Sequence, residues 1–106
     1  RGDLFRVYRG ARSDPKDFRV FAVVSRGPLI DSRHSTVICA PLYSAQHGIS
    51  TQVLLDSDDG MKSPCSIHCD ELMSLPKTIL TDFVSSLSST KISLLNRALA
   101  VAVGLT

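Results

Sequence analysis

Two short segments carry chemically capable polar groups inside otherwise apolar strands. In one, the guanidinium of Arg19 enters the run Phe18-Arg19-Val20-Phe21-Ala22-Val23-Val24-Ser25. In the other, His68 and Asp70 stand two residues apart in Ser66-Ile67-His68-Cys69-Asp70-Glu71-Leu72. Burying such groups is costly unless they have a partner or a task, so they mark the candidate site. A histidine changes charge near neutral pH, which suits proton transfer. Positions two apart on a strand share a face, so Asp70 is expected beside His68, where it orients the ring or accepts its proton. The plain structural alternatives are that His68 is satisfied by backbone and that Arg19 pairs with Asp70 or Glu71 across the sheet.

Other polar clusters carry less. Cys65 and Cys69 flank His68, but a structural zinc site wants four ligands, usually with CxxC-type pairs, so no metal is expected. Cys39 lies in Val37-Ile38-Cys39-Ala40 and reads as a small core hydrophobe. The carboxylates of Asp56-Ser57-Asp58-Asp59-Gly60 read as a solvated turn, because calcium would need further ligands at regular spacing. His34 and His47 fall in loops and read as solvated.

These groups must be held by a scaffold. The 106 residues fit one domain, 1–106. Hydrophobic content of 43% and charged content of 21% are those of an ordinary globular chain, and a net charge of +2 permits an acidic partner without demanding one. Three cysteines, an odd number, argue against a disulfide framework and for a reducing compartment. No apolar run approaches the roughly 18 residues of a membrane span, and no signal-peptide pattern is present. A cytoplasmic location without membrane contact is expected. The chain opens on Arg1 without a methionine, so a few residues are expected to precede it.

Strands are predicted over residues 4–9, 18–25, 36–42, 51–55, 66–69 and 81–87 from β-branched and aromatic runs between turn-forming segments. Residues 10–17, 27–35 and 43–50 read as loops, and Leu75-Pro76-Lys77 as a short connection. A closing helix is capped by Ser88 or Ser89, with Ile92, Leu95, Leu99 and Ala102 on one face, and is stopped by Gly104. Leu94, Ala98 and Val101 form a second apolar stripe, so the helix is expected to pack on two surfaces. Strands in succession rather than βαβ units predict a mainly β (α+β) fold, a partly closed antiparallel β-barrel with a C-terminal α-helix.

Five segments in order resemble the MazF/PemK family of bacterial toxins from type II toxin–antitoxin pairs, over nearly the whole chain. Arg1-Gly2-Asp3-Leu4 is similar to the family's opening, and Arg19-Val20-Phe21-Ala22-Val23-Val24-Ser25 to its second strand, with Val20 where proline is usual. Thr36-Val37-Ile38-Cys39-Ala40-Pro41 is similar to its third strand, Cys69-Asp70-Glu71 to its Cys-Asp-Gln or Leu-Glu-Gln, and residues 95–105 to its closing helix. The resemblance implies an SH3-like barrel and a homodimer. It implies a sequence-specific endoribonuclease that needs no metal or other cofactor and leaves a cyclic phosphate after 2′-hydroxyl attack. That reaction needs a base, a positive group at phosphorus and an acid for the leaving oxygen. By resemblance Arg19 is the phosphate arginine, a role that suits a permanently charged, bidentate group. The family's Thr or Ser falls on Tyr43, with Ser44 next; strand alternation points the two to opposite faces, and either hydroxyl is a candidate. His68 and Asp70 stand where one branch has Arg-x-Asp. Arg9, Arg12 and Lys16 lie in the segment that covers the family's site and are candidate RNA contacts, as are Phe18 and Glu71.

Single-stranded RNA and a cognate antitoxin, a partly disordered and often acidic segment, are the implied partners. DNA enters only through an antitoxin complex. Two other readings stand beside this one. A CcdB-like gyrase poison shares the fold, but CcdB acts through a C-terminal Trp-Gly-Ile, whereas this chain has Val103-Gly104-Leu105 and no tryptophan. A non-catalytic, antitoxin-binding relative would follow if Tyr43 disables the site.

Overall fold

In the computed structural model, which describes residues 1–8 and 17–106, seven strands form one antiparallel, curled sheet closed off by a helix. The strands are β1 (Asp3–Tyr8), β2 (Phe18–Val23), β3 (Thr36–Tyr43), β4 (Gln52–Leu55), β5 (Cys65–His68), β6 (Met73–Pro76) and β7 (Asp82–Ser86). Their order is β4-β5-β3-β2-β1-β7, with β6 also paired to β3. A four-residue helix, α1 (Gly27–Ile30), follows β2, and α2 (Ser89–Ala102) ends the chain. No helix among the described residues is long and apolar enough to cross a membrane.

The long third strand organises the sheet. β3 pairs with β2, with β5 and with β6, so it bends from one curved layer into the next, as a barrel-forming strand must. Side-chain alternation then builds two cores from the same strands. Ala22, Ala40 and Leu42 join Leu4, Val53, Leu55 and Ile67 in the larger core, which Leu95 and Ala98 of α2 cover. Phe21, Val23, Val37, Cys39 and Leu75 form the smaller core on the opposite face.

α2 begins where Ser88 accepts a hydrogen bond from the Lys91 amide at 3.2 Å, as an N-cap serine should. It ends at Gly104, whose φ of 76° is the left-handed conformation that terminates helices. Leu95 is fully buried, worth roughly 1.5–3 kcal/mol. Ile92, Leu99 and Ala102 pack against the same core, whereas Leu94 of the second stripe is 41% exposed. Gly2 carries a φ of 97°, and a Cβ there would overlap the Ile92 side chain, so glycine lets β1 start against the helix.

Several expectations need correction. β6 replaces the connection expected at Leu75-Pro76-Lys77, and α1 sits within the expected second loop. The 56–60 turn is not simply solvated. Ser57–Asp59 is a 3₁₀ turn in which the Asp56 side chain accepts from the Asp58 amide and Asp59 accepts from the Asp56 amide. Asp59 is buried and meets Lys91 Nζ at 3.5 Å. The expected strand 66–69 runs instead over Cys65–His68, and Cys69–Glu71 is a 3₁₀ turn.

Candidate functional site

Arg19 and Tyr43 meet because of strand register. β2 and β3 pair Phe21 with Pro41 and Val23 with Cys39. Continuing that antiparallel register by two residues sets Arg19 opposite Tyr43, on the face of the smaller core. There the guanidinium carbon lies 4.2 Å from the centre of the Tyr43 ring, a cation–π contact. Arg19 Nη1 also donates to the Leu42 carbonyl at 3.2 Å. Among the described residues Arg19 has no carboxylate ion-pair partner, so the structural alternative of a pairing with Asp70 or Glu71 is not how it is held.

Three clefts converge on this pair. One, of about 710 Å³, is lined by Ser44, His47, Gln52, His68, Asp70 and Glu71 together with Arg19 and Tyr43. A second, of about 510 Å³, lies between Phe18, Tyr8 and Arg6 on one side and residues 60–65 on the other, again with Arg19, Tyr43 and Ser44. A third, of about 400 Å³, runs over Phe21, Pro41, Glu71 and Met73. Phe18 is fixed in its wall by the Tyr8 ring, 5.7 Å away, and by Arg6, 5.5 Å above its face.

The His68–Asp70 pairing is the main correction. Because β5 ends at His68 and the chain enters a 3₁₀ turn, Asp70 does not share a strand face with His68. It is exposed and accepts from Thr51 Oγ1 at 2.6 Å. Glu71 takes its place: in a 3₁₀ turn residues i and i+3 eclipse, and Glu71 Oε2 lies 3.5 Å from His68 Nδ1. The other Glu71 oxygen, Oε1, accepts from the Tyr43 hydroxyl at 3.3 Å. His68 itself is buried, with its ring edge-on to Tyr43 at 4.7 Å. Its Nε2 faces Ser66 Oγ at 2.9 Å and the Ala45 carbonyl at 3.2 Å.

Thus the structure brings together Arg19, Tyr43, Ser44, His68, Asp70 and Glu71 at one cleft and places Phe18 at the neighbouring one. Arg9, Arg12 and Lys16 lie outside the described residues. His47 and Gln52 also line the cleft, although nothing in the sequence singled them out. Pairing of β4 with β5, which sets Gln52 against His68, is the missing signal. Cys65, His68 and Cys69 do not form a metal cluster, nor does any other group of three His, Cys, Asp or Glu among the described residues. Burial pushes the Cys39 thiol up to about 12. Burial, with the Asp70 charge as a smaller cause, pushes that of Cys69 up to about 11, so both stay protonated and inert.

A family profile described as PemK-like, MazF-like toxin of type II toxin–antitoxin system matches residues 1–103. The chain belongs to this family. No curated protein sequence matches this PemK/MazF-family chain, but solved structures do. An endoribonuclease in complex with its cognate antitoxin, from a mycobacterial species, superposes with a TM-score of 0.84 at 23% identity, over 100% of this chain and 95% of that one. The Mycobacterium tuberculosis toxin MazF-mt6 does so at 0.81 and 20% identity, over 100% and 99%. The MazE-MazF structure (Form-III) from Deinococcus radiodurans gives 0.69 and 14% over 99% and 94%. At these identities the likeness fixes the fold, and the chemistry of the PemK/MazF-family chain rests on its own residues.

Proposed function

We propose that the chain is an endoribonuclease toxin that cuts single-stranded RNA at a short preferred sequence without a metal, and that a cognate antitoxin neutralises it. The observation that carries this reading is Arg19, a guanidinium held by a ring and a carbonyl yet not neutralised by a carboxylate among the described residues, where three clefts meet. Such a cation is arranged to take the charge that develops on a phosphate. Family membership and the antitoxin bound in the mycobacterial and Deinococcus structures support the same reading.

In the proposed reaction Glu71 takes the proton of the 2′-hydroxyl. The 2′-oxygen then bonds to the adjacent phosphorus while the bond from phosphorus to the 5′-oxygen breaks, leaving a cyclic phosphate and a 5′-hydroxyl. Arg19, with the Ser44 hydroxyl in the same clefts, steadies the phosphate oxygens. His47, in the loop after β3, lines the cleft with Glu71 and is the residue type suited to protonating the leaving oxygen. Asp70, bonded to Thr51, shapes the cleft wall. An unstacked base fits the 510 Å³ cavity against Phe18 and beside Lys62 and Ser63, with Arg9, Arg12 and Lys16 as further phosphate contacts. The protein acts as a homodimer, and its DNA contacts come only through the antitoxin complex.

The test is incubation with a long unstructured RNA in EDTA and mapping of new 5′ ends. Cuts at one recurring short sequence, absent in Arg19→Ala, are expected. Full cleavage by Arg19→Ala overturns the assignment. No cleavage by the wild-type protein on varied RNAs overturns the ribonuclease reading and sends the protein to a gyrase supercoiling assay.

A further inference from the structure

The histidine that the sequence offers as a proton-transfer group has neither nitrogen open to a substrate. Ser66 Oγ donates its one hydrogen to the Ala45 carbonyl at 2.6 Å. It therefore has none for His68 Nε2, which lies 2.9 Å from that hydroxyl and 3.2 Å from the same carbonyl. With two acceptors in front of it, Nε2 must carry a hydrogen. Nδ1 is then the nitrogen without a hydrogen in the neutral ring, and it faces two groups with opposite demands. Gln52 Oε1 accepts from the His47 amide at 3.1 Å, which orients the Gln52 amide so that its NH₂ is the end toward Nδ1, at 3.5 Å. A neutral Nδ1 accepts from that NH₂; a protonated Nδ1 donates to the Glu71 carboxylate, also at 3.5 Å. Both distances sit at the long end of a hydrogen bond, so a single proton decides which contact tightens.

We propose that His68 is a positioning residue that sets the Glu71 carboxylate through the charge on Nδ1, freeing it when neutral and clamping it when protonated. The inference rests on the reading above that Glu71 is the base. The surroundings are specific to that outcome. The 3₁₀ turn contributes Glu71 and, further out, Asp70; β4 contributes only neutral Gln52. The end of β3 contributes Tyr43, edge-on at 4.7 Å. The following loop contributes His47, with ring centres 6.3 Å apart, and β2 contributes Arg19, over the Tyr43 ring and lining the same cleft. Cys69, adjacent in the chain, stays a thiol because burial raises it to about 11. Glu71 is thus the charge that His68 meets directly, and a clamped Glu71 is a poorer base and a worse acceptor for the Tyr43 hydroxyl.

Nitrogen-labelled histidine NMR over a pH series, on the free protein, tests the contact without RNA. The expected neutral form carries its hydrogen on Nε2. Glu71→Gln is expected to change the Nδ1 signal of the protonated ring, which loses its carboxylate acceptor, and Gln52→Leu that of the neutral ring, which loses its NH₂ donor. A neutral Nδ1–H tautomer, or an Nδ1 signal of the protonated ring indifferent to Glu71→Gln, overturns the proposal. With RNA, His68→Gln keeps a donor toward Ala45 but cannot titrate. Its KM is expected to stay within about threefold, while the acid limb of kcat changes shape because one ionising group has gone. An acid limb identical to wild type overturns the proposal. Should the wild-type protein cut no RNA, the NMR result still decides the contact, and only the ribonuclease reading fails.

Discussion

Replacing Tyr43 in two ways separates its ring from its hydroxyl, and so decides whether this residue is a reacting group or a support. Tyr43→Phe keeps the surface 4.2 Å beneath the Arg19 guanidinium and deletes the 3.3 Å hydrogen bond to Glu71. That bond is long and partly exposed, so its loss costs about 0.5–1 kcal/mol, or about two- to fivefold in kcat/KM. Tyr43→Leu removes the cation–π contact as well, worth about 1–2 kcal/mol where the cation is partly desolvated. The bond from Arg19 to the Leu42 carbonyl survives, so the total loss is expected at about ten- to a hundredfold. Arg19→Ala removes the charge itself and should cost about 100- to 1000-fold. The assay is single-turnover cleavage of a short RNA in EDTA, with circular dichroism to confirm the fold of each variant. In the double variant Arg19→Ala with Tyr43→Leu, activity should fall below Arg19→Ala alone only by about the two- to fivefold of the lost Glu71 bond, because the ring then has no guanidinium to hold. Tyr43→Phe as inactive as Arg19→Ala would refute this reasoning and make the hydroxyl a reacting group. Tyr43→Leu at the wild-type rate would refute the support role.

Lys91 of α2 faces the buried Asp59 carboxylate and donates to the Leu54 carbonyl. Lys91→Met leaves that carboxylate unpaired and should destabilise the fold by about 1–3 kcal/mol in urea denaturation; a change below about 0.5 kcal/mol would mean that the turn alone satisfies Asp59. The buried thiols predict an alkaline instability. Folding holds the Cys39 and Cys69 protons up to about 12 and about 11, whereas an unfolded thiol ionises near about 8.5. Their contribution is therefore fully present below that pH and is lost as pH rises toward the folded values, by at most about 1.4 kcal/mol per pH unit per thiol. Urea melts from pH 7 to 10.5 should show the decline, and Cys39→Ala should flatten it. An unchanged slope in Cys39→Ala would exclude this cause.

Much of the scaffold is legible in the sequence because its strands are half-buried. β1, β2 and β3 each alternate between the two cores, and that period is visible in the residue types. β6 is not, because only Leu75 of its four residues is buried and Pro76 closes it, so no alternation survives to be read. α1 has no fully buried residue and is held by Ile30 against the smaller core and by Lys77 Nζ on the Leu29 carbonyl, contacts too distant in sequence to be read. At the site, Arg19 stands out as a charge in an apolar run, but its partner Tyr43 follows only from the β2–β3 register, a long-range fact. The pairing of His68 with Glu71 rather than Asp70 depends on where β5 stops. One residue more of strand would have kept Asp70 on the face of His68. The 3₁₀ turn substitutes spacing three for spacing two, and no residue type in 65–71 announces the change.

The same geometry resolves why an arginine enters a hydrophobic strand. β2 and β3 lay one apolar face, Phe21 and Val23 beside Cys39, onto the smaller core. Two residues before Phe21 on β2 and four after Cys39 on β3 that face continues, but the core beneath it has ended and clefts begin. Arg19 therefore obeys the alternation without bearing the cost of full burial: Tyr43 and Leu42 desolvate one side of its guanidinium while the other borders open clefts. A cation so placed interacts more strongly with an arriving anion than one surrounded by water, because the effective dielectric is lower, and it needs no rearrangement to do so. The position of the site then follows from the packing: it lies where two paired strands run past the end of a core they share. Moving Arg19 two residues inward, to position 21, would bury its charge at a site only 8% exposed. Moving it one residue would turn it to the larger core. Position 19 is where this sheet allows a charge to be both held and available.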